Sequence, residues 1–405
     1  MMNVVLFSHP VFLNSQSMTR FARMLEQAYV ARGHQVQVWS PKARVYNLVP
    51  RGRLSKWAGY IDQYILFPLW VRKQLKRQSA DTLFVFCDQA LGPWIPLVKG
   101  RPHVVHVHDL LALRSALGLM PENPTSWTGR LYQRYIRHGF QQAKHFISIS
   151  KKTRDDLHYF GQVSPVISEV VYNGLNYPYA PTLPSEAIHV LNQAGLPVKP
   201  NGMLLHVGGS QWYKNMPGVI RLYIEYAKGE VNPLPLWCIS PSPNSNVQNI
   251  LKEVPPQGQV LFFQGIDNQA LQAAYSMARA FLFPSLAEGF GWPIIEAQAC
   301  GCPVITTDAP PMNEIGGPAA SYIALLRPED DLQNWAAKGA SKLKTLLMMS
   351  EMLRQQTREQ GIAYAARFNA NDAIIGYLQI YNQVLSVSLT QGGLKHQLPH
   401  DRKKI

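Results

Sequence analysis

Cysteine is scarce in this 405-residue chain: four residues, Cys87, Cys238, Cys300 and Cys302, with no CxxC pair and no regular spacing. That excludes a disulfide scaffold and a cysteine-based zinc motif, and the four read as buried thiols of a reducing compartment. No long apolar run exists either. The longest candidate, residues 64–71, is interrupted by Pro68, whereas a membrane-spanning helix needs about 20 residues. The N-terminal MMNVVLFSHP has no basic flank and reads as a first strand, not a signal peptide. A cytoplasmic protein is therefore expected. Charged residues are only 16% and apolar ones 46%, a globular balance without wholesale disorder. Repeats at solenoid periods are absent. The turn after the first strand, SHPVFLNSQS, has no glycine, which argues against the GxGxxG of a dinucleotide enzyme.

Acidic residues are missing from one half in particular. Residues 1–175 hold 22 lysines and arginines against 9 acids, while residues 176–405 hold 17 against 16. The net charge of +14 is thus almost confined to the first half, which implies an anionic partner there. Residues 46–78 carry seven basic side chains and one acid, interleaved with Trp57, Tyr60, Tyr64, Phe67 and Trp70. Such a mixture suits a membrane interface. It also suits single-stranded nucleic acid, but no nucleic-acid motif accompanies it; a solvated helix face is the plainer alternative. Peripheral attachment to the cytoplasmic face of the membrane, with no nucleic acid bound, is the expectation.

What is present is a double series of βα units. In the first half, strands are expected at 3–8, 35–39, 83–87, 104–107, 146–149 and 166–172, with helices at 18–32 and 129–142. The proline-rich stretch 177–184 reads as a linker. A second series follows, with strands at 203–207, 236–239, 260–263, 280–283 and 303–307 and helices at 216–226, 269–277 and 293–300. The expected domains are 1–175 and 176–369. A helix over 370–388 crosses back to the first domain, and a frayed basic tail occupies 391–405.

The chemistry concentrates in FPSLAEGFGWPIIEAQACGCPVITT, residues 283–307. A strand ends, a loop brings Glu288, Gly289 and Gly291, and Pro293 suits the first position of a helix that stops at Gly301. Glycines let backbone N–H groups approach a ligand, and the helix N-terminus behind them is an anion site. Glu288 and Glu296, the latter on the first helical turn, would repel phosphate, so they suit sugar and ribose hydroxyls. Spacing alone leaves both as ordinary solvated glutamates.

EGFGWPIIE resembles the E-x7-E signature of retaining glycosyltransferases of family 4. The likeness extends over residues 104–308 through VVHVHDLLAL, FISISKKTRDDL, VYNGLN and FFQGIDNQALQAAYSMARAFLFPS. It implies the GT-B fold, an α/β architecture of two Rossmann-like domains facing across a cleft. The implied activity moves a hexose from a nucleotide-diphosphate sugar (UDP-glucose first, GDP-mannose second) to a polysaccharide or lipid-linked acceptor. A non-catalytic nucleotide-sugar-binding subunit is the alternative.

By the same resemblance Glu288 binds the donor hexose and Glu296 the ribose, and the backbone of Gly289, Phe290, Gly291 and Trp292 approaches sugar and diphosphate. Simple packing is the competing reading for Phe290 and Trp292. In LLHVGGSQWYKN, Lys214 matches a diphosphate-binding lysine, but Gly209 stands where the family has arginine. A backbone nest over 208–210, including Gly209 and Ser210, is the group that could compensate, since lysine lacks the guanidinium fork. His108 is implied to face the donor sugar; alternation puts His106 on its face of the strand and His103 on the other. No cysteine or carboxylate pattern completes a metal site with these histidines. Gln264, Gly265 and Ile266 are expected near the base, and Asn14 and Ser15 near the diphosphate, with a helix N-cap at Ser17 as the bland alternative. Neither metal nor cofactor is expected beyond the nucleotide sugar.

Overall fold

The computed structural model describes residues 1–13, 16–50, 52–198 and 201–395. The chain divides into two compact units, Met1–Tyr172 with the returning segment from Asn371, and Asn173–Ala370. Each is built on one six-stranded parallel sheet covered by helices.

In the N-terminal unit the strands are β1 (Asn3–Phe7), β2 (Gln35–Trp39), β3 (Leu83–Phe86), β4 (His103–Val107), β5 (His145–Ser148) and β6 (Ile167–Val170). Their order is β2-β1-β3-β4-β5-β6, every pairing parallel. A parallel sheet covered on both faces needs strands that are apolar throughout, and β3, with LFVF wholly buried, is written that way. One face packs on Phe67, Trp94 and Phe140. The other packs on Phe21, Leu25 and Tyr29 of the helix Gln16–Val30, and on Ile374, Tyr377, Tyr381 and Val384 of the last helix, Ala370–Lys395. The last helix therefore closes the first core. It runs to Lys395, beyond the expected end at 388, and residues 396–405 of the expected tail lie outside the described residues.

The C-terminal unit holds β7 (Met203–Val207), β8 (Leu236–Ile239), β9 (Val260–Phe263), β10 (Ala278–Phe283), β11 (Val304–Thr307) and β12 (Ala320–Ile323) in the order β12-β11-β10-β7-β8-β9. Helices Met216–Lys228 and Leu332–Leu347 cover one face through Val219, Leu222, Tyr223, Ala336 and Leu343. The linker stretch gives way at Pro184, the first residue of the helix Pro184–Gln193. The two architectures, with the returning C-terminal helix, are those of the GT-B fold.

Among the described residues no helix is long and apolar enough to cross a membrane. The four cysteines are free and buried, and burial pushes the Cys87, Cys238, Cys300 and Cys302 thiols well above their ordinary range.

Candidate functional site

In an open parallel sheet, ligands bind beyond the carboxyl ends of the strands where strand order reverses, because the connections there diverge and leave a crevice. In the C-terminal unit the reversal falls between β7 and β10. The loops leaving these two strands carry Lys214 and Glu288. Several local bonds fix them. Asn215, at φ 56°, caps the helix Met216–Lys228 by accepting from Gly218 N at 3.1 Å, while its Nδ2 donates to the Pro284 carbonyl at 2.9 Å. Leu286 N donates to the Tyr213 carbonyl at 2.8 Å, tying one loop to the other. Lys214 Nζ then meets Glu288 Oε1 at 2.7 Å, with side chains only 14% and 8% exposed, and lies 4.9 Å from the Phe283 ring centre. The residues expected to serve diphosphate and hexose are thus ion-paired to each other.

Glu296 follows on the helix Trp292–Ala299. This corrects two expectations. The helix begins at Trp292, so Pro293 is its second residue and Glu296 lies past the first turn. Gly291 precedes it at φ 102°, a left-handed conformation that favours glycine. Glu296 is buried and accepts a hydrogen bond from Tyr275 Oη at 3.1 Å. Burial raises its carboxyl to about 7, opposed by the Tyr275 hydroxyl and by Lys214. Phe290 and Trp292 have packed side chains: Phe290 lies edge-on to Phe368, and Trp292 Nε1 donates to the Gly174 carbonyl at 3.1 Å. Both rings are thus packed within the unit.

Gly209 is half-buried and Ser210 exposed in the loop after β7. Beneath them His206 Nδ1 donates to the Leu282 carbonyl at 2.8 Å, and burial lowers its imidazole to about 4. Gln264, Gly265 and Ile266 leave β9, two strand positions from β7 on the same edge, roughly 10 Å away at the usual strand spacing. Gln264 Nε2 donates to Ser242 Oγ at 2.7 Å.

In the N-terminal unit strand order reverses between β1 and β3. Beyond these strands stand His9 and Asp88, joined at 2.8 Å from Nε2 to Oδ2. Asp88 also accepts from Ala90 N. Burial opposes its charge, but the His9 bond and the nearby His108 hold the carboxyl below its ordinary range. Sequence reasoning missed this pair; strand-end position after β1 and β3 was the signal that would have found it. His108 leaves β4 and donates from Nε2 to the Cys87 carbonyl at 2.9 Å, which makes Nδ1 the acceptor of a neutral ring. Burial lowers its pKa against the opposing pull of Asp88. His106 shares the Phe21 edge with His108 and bonds Tyr381 Oη at 2.7 Å, whereas His103 meets His145. The expected alternation is observed. Asn14 and Ser15 lie outside the described residues. Among the described residues no group of three or more His, Cys, Asp or Glu is placed to hold a metal ion.

Two family profiles match the chain in succession, "Glycosyltransferase Family 4" over residues 18–177 and "Glycosyl transferases group 1" over residues 192–360. The chain is similar to the O-antigen chain mannosyltransferase RfbU of Salmonella typhimurium, 25% identical over 242 residues, covering 60% of each chain. It is also similar to O-antigen chain mannosyltransferase B of Escherichia coli, 26% identical over 193 residues, 47% of this chain and 48% of that one. The matches therefore span about half to three fifths of these relatives' lengths. Among solved structures, a glycosyltransferase from Rickettsia africae superposes with a TM-score of 0.65 at 14% identity, over 95% of this chain and 98% of that one. At that identity the likeness is one of fold.

Proposed function

We propose that this chain, a GT-B protein related to the group 1 and family 4 glycosyltransferases, moves a mannosyl group, with retention, from GDP-mannose to a lipid-linked saccharide. The observation that carries the donor half is the arrangement at the β7/β10 reversal: Lys214 paired to Glu288, with buried Glu296 on the helix behind. Cleavage of the anomeric bond builds negative charge on the diphosphate and positive charge on the sugar. Lys214, released from Glu288, stabilises the first together with the N-terminus of Trp292–Ala299. Glu288, freed in turn, accepts from hexose hydroxyls, and Glu296 from the ribose. The neutral His108 offers Nδ1 to a sugar hydroxyl.

Mannose takes precedence over the earlier expectation of glucose because the relatives named above are mannosyltransferases. For the acceptor, the support is surface chemistry. A helix from Arg53–Ile61 continues through a widened turn into Phe67–Leu75, and its Leu54, Trp57, Ile61 and Ile65 are exposed at helical spacing. Tyr60 and Tyr64 pack on Tyr132 of the neighbouring helix Trp127–Phe140, which exposes Trp127, Leu131 and Tyr135. Lys56, Arg72 and Lys73 on the first stretch, and Arg130 and Arg134 on the second, are exposed. Apolar stripes with lysine and arginine beside them suit an anionic lipid surface at the cytoplasmic face.

Calorimetric titration with GDP-mannose, GDP, UDP and UDP-glucose tests the donor. Preferential GDP-mannose binding, weakened at least tenfold in Glu296→Ala, is expected. Preference for the uridine nucleotides would return glucose as the donor, and no binding by any of the four would leave a non-catalytic role.

A further inference from the structure

The C-terminal unit carries a second concentration of positive charge at the other end of its sheet. A cavity of about 830 Å³ opens at the amino ends of β7, β10 and β11, where Gly202, Ala278 and Pro303 line it. Strand β7 has five residues, so this edge is about 16 Å from the Lys214 edge at the usual rise per residue. Four basic side chains line the cavity, Arg279, Lys344, Arg354 and Arg358, against one acid, Glu230.

Only part of that charge is matched within the unit. Lys344 pairs with Glu230 at 3.3 Å. Arg354 is buried and donates to the Leu347 carbonyl at 2.9 Å, at the end of the helix Leu332–Leu347. Among the described residues no carboxylate lies within ion-pair distance of Arg279 or Arg358.

The backbone is shaped to hold these cations. The register of β10 against β7 jumps between Ala278 and Ala280, so Arg279 is the extra residue of a bulge, a device that re-aims a side chain. Its stem lies over Gly202, where an added Cβ would come within 3.0 Å of Arg279 Cγ. The Arg358 guanidinium lies over Gly301, 3.4 Å from where a Cβ would stand, and Lys344 Nζ fills the same space at Gly229. Arg354 has Arg279 and Arg358 as like-charged neighbours, with exposed Glu351 at 4.0 Å as its acidic partner. With Arg279 and Arg358 lacking a carboxylate partner among the described residues, the four cations outweigh Glu230 and Glu351 and repel one another, and an anion between them removes that cost.

We propose that this cavity is an anion site, separate from the donor edge, that takes the phosphate group of a phosphorylated small molecule. Tyr226, Leu234 and Met348 supply an apolar wall for the rest of the ligand, and the volume exceeds what a bare phosphate fills.

The test is calorimetric titration of the full chain with glucose 6-phosphate and with inorganic phosphate. The double variant Arg279→Gln/Arg358→Gln is compared with the native chain, and GDP-mannose is titrated into both. Arg354 is spared because it caps a helix. A loss of fivefold or more for the phosphates, with GDP-mannose binding unchanged, is expected. Tighter binding of glucose 6-phosphate than of phosphate assigns the whole metabolite; equal binding assigns the phosphate group alone. No phosphate binding by the native chain at millimolar concentration overturns the proposal. So does a smaller loss in the double variant, or loss caused by Lys214→Ala instead. Should the double variant fail to fold by circular dichroism, Arg279→Gln alone is held to the same fivefold criterion.

Discussion

Glu296 sits buried with a carboxyl raised to about 7 by desolvation, so near neutrality it is divided between acid and carboxylate. A ribose hydroxyl donates a much stronger, charge-assisted hydrogen bond to the carboxylate than to the acid. GDP-mannose, whose diphosphate does not titrate in this range, should therefore bind about tenfold more tightly at pH 8 than at pH 6, with proton release near pH 7. Calorimetry in buffers of different ionisation heat reads both, and Glu296→Gln should flatten the profile. The stability sign is opposite. A carboxyl raised in the folded state from 4.5 to about 7 destabilises fully above pH 7 and ceases to do so as pH falls to 4.5. Glu296→Gln should accordingly raise the melting temperature at pH 8 and leave it unchanged at pH 4.5. A flat wild-type binding profile would remove the ribose role.

The helix running from Arg53 to Leu75 shows how one element divides its faces. Asp62 is buried inside the fold, where it accepts backbone N–H bonds from Arg44, Val45 and Tyr46 at 2.9–3.0 Å. The widened turn Asp62–Leu66 falls just ahead of Pro68, which has no N–H to give. The inward face meets Trp39 and Trp94 through Phe67 and Trp70. Outward, Trp57 is 66% exposed, and Trp127 on the adjoining helix is 72% exposed. If these faces meet lipid, the protein should float with vesicles containing anionic phosphatidylglycerol and not with neutral ones. Trp57→Ser/Trp127→Ser should reduce the bound fraction several-fold without changing GDP-mannose affinity. Equal flotation on both vesicle types would discard the membrane reading. Sequence periodicity gave only the basic and aromatic mixture here. The proline suggested an interruption, and packing against the sheet carries the helix through it.

For the whole molecule, the two units should respond differently to acid. In the N-terminal unit burial lowers His106 to about 3, and His103, His108 and His145 also fall below their ordinary value. A histidine depressed in the folded state is neutral there but charges on unfolding, so stability is lost as pH drops below about 6.5. For His106 the slope is about 1.4 kcal/mol per pH unit until the folded pKa is reached. In the C-terminal unit His206, lowered to about 4, acts the same way, but Glu296 acts in reverse over nearly the same range. Hydrogen exchange followed by mass spectrometry between pH 7 and 5 should show the first unit loosening while the second holds. Uniform loosening of both would show that these buried groups do not set acid stability.

The sequence by itself determined the double βα series. Strands at 35–39, 203–207, 236–239 and 260–263 fall on the expected residues: the largely buried 203–207 and 236–239 are short apolar runs, as a covered parallel strand must be, and the edge strand 35–39 shows as an alternation of glutamine with valine ending in Trp39. It also determined the loop from Glu288 through the helix at Trp292, since the glycines, proline and carboxylates are contiguous. Missed were β12, whose ASYI is only partly buried at a sheet edge, and the long helix Glu351–Ala365, whose surface is mostly polar. Tertiary structure alone decided what depends on residues far apart in the chain. Lys214 meets Glu288 across 74 positions and His9 meets Asp88 across 79, pairings that follow from strand order, which no local pattern encodes. Burial likewise belongs to the fold: nothing in the spacing of Glu296 foretells that Tyr275 and the helix behind Gly291 would take it out of water.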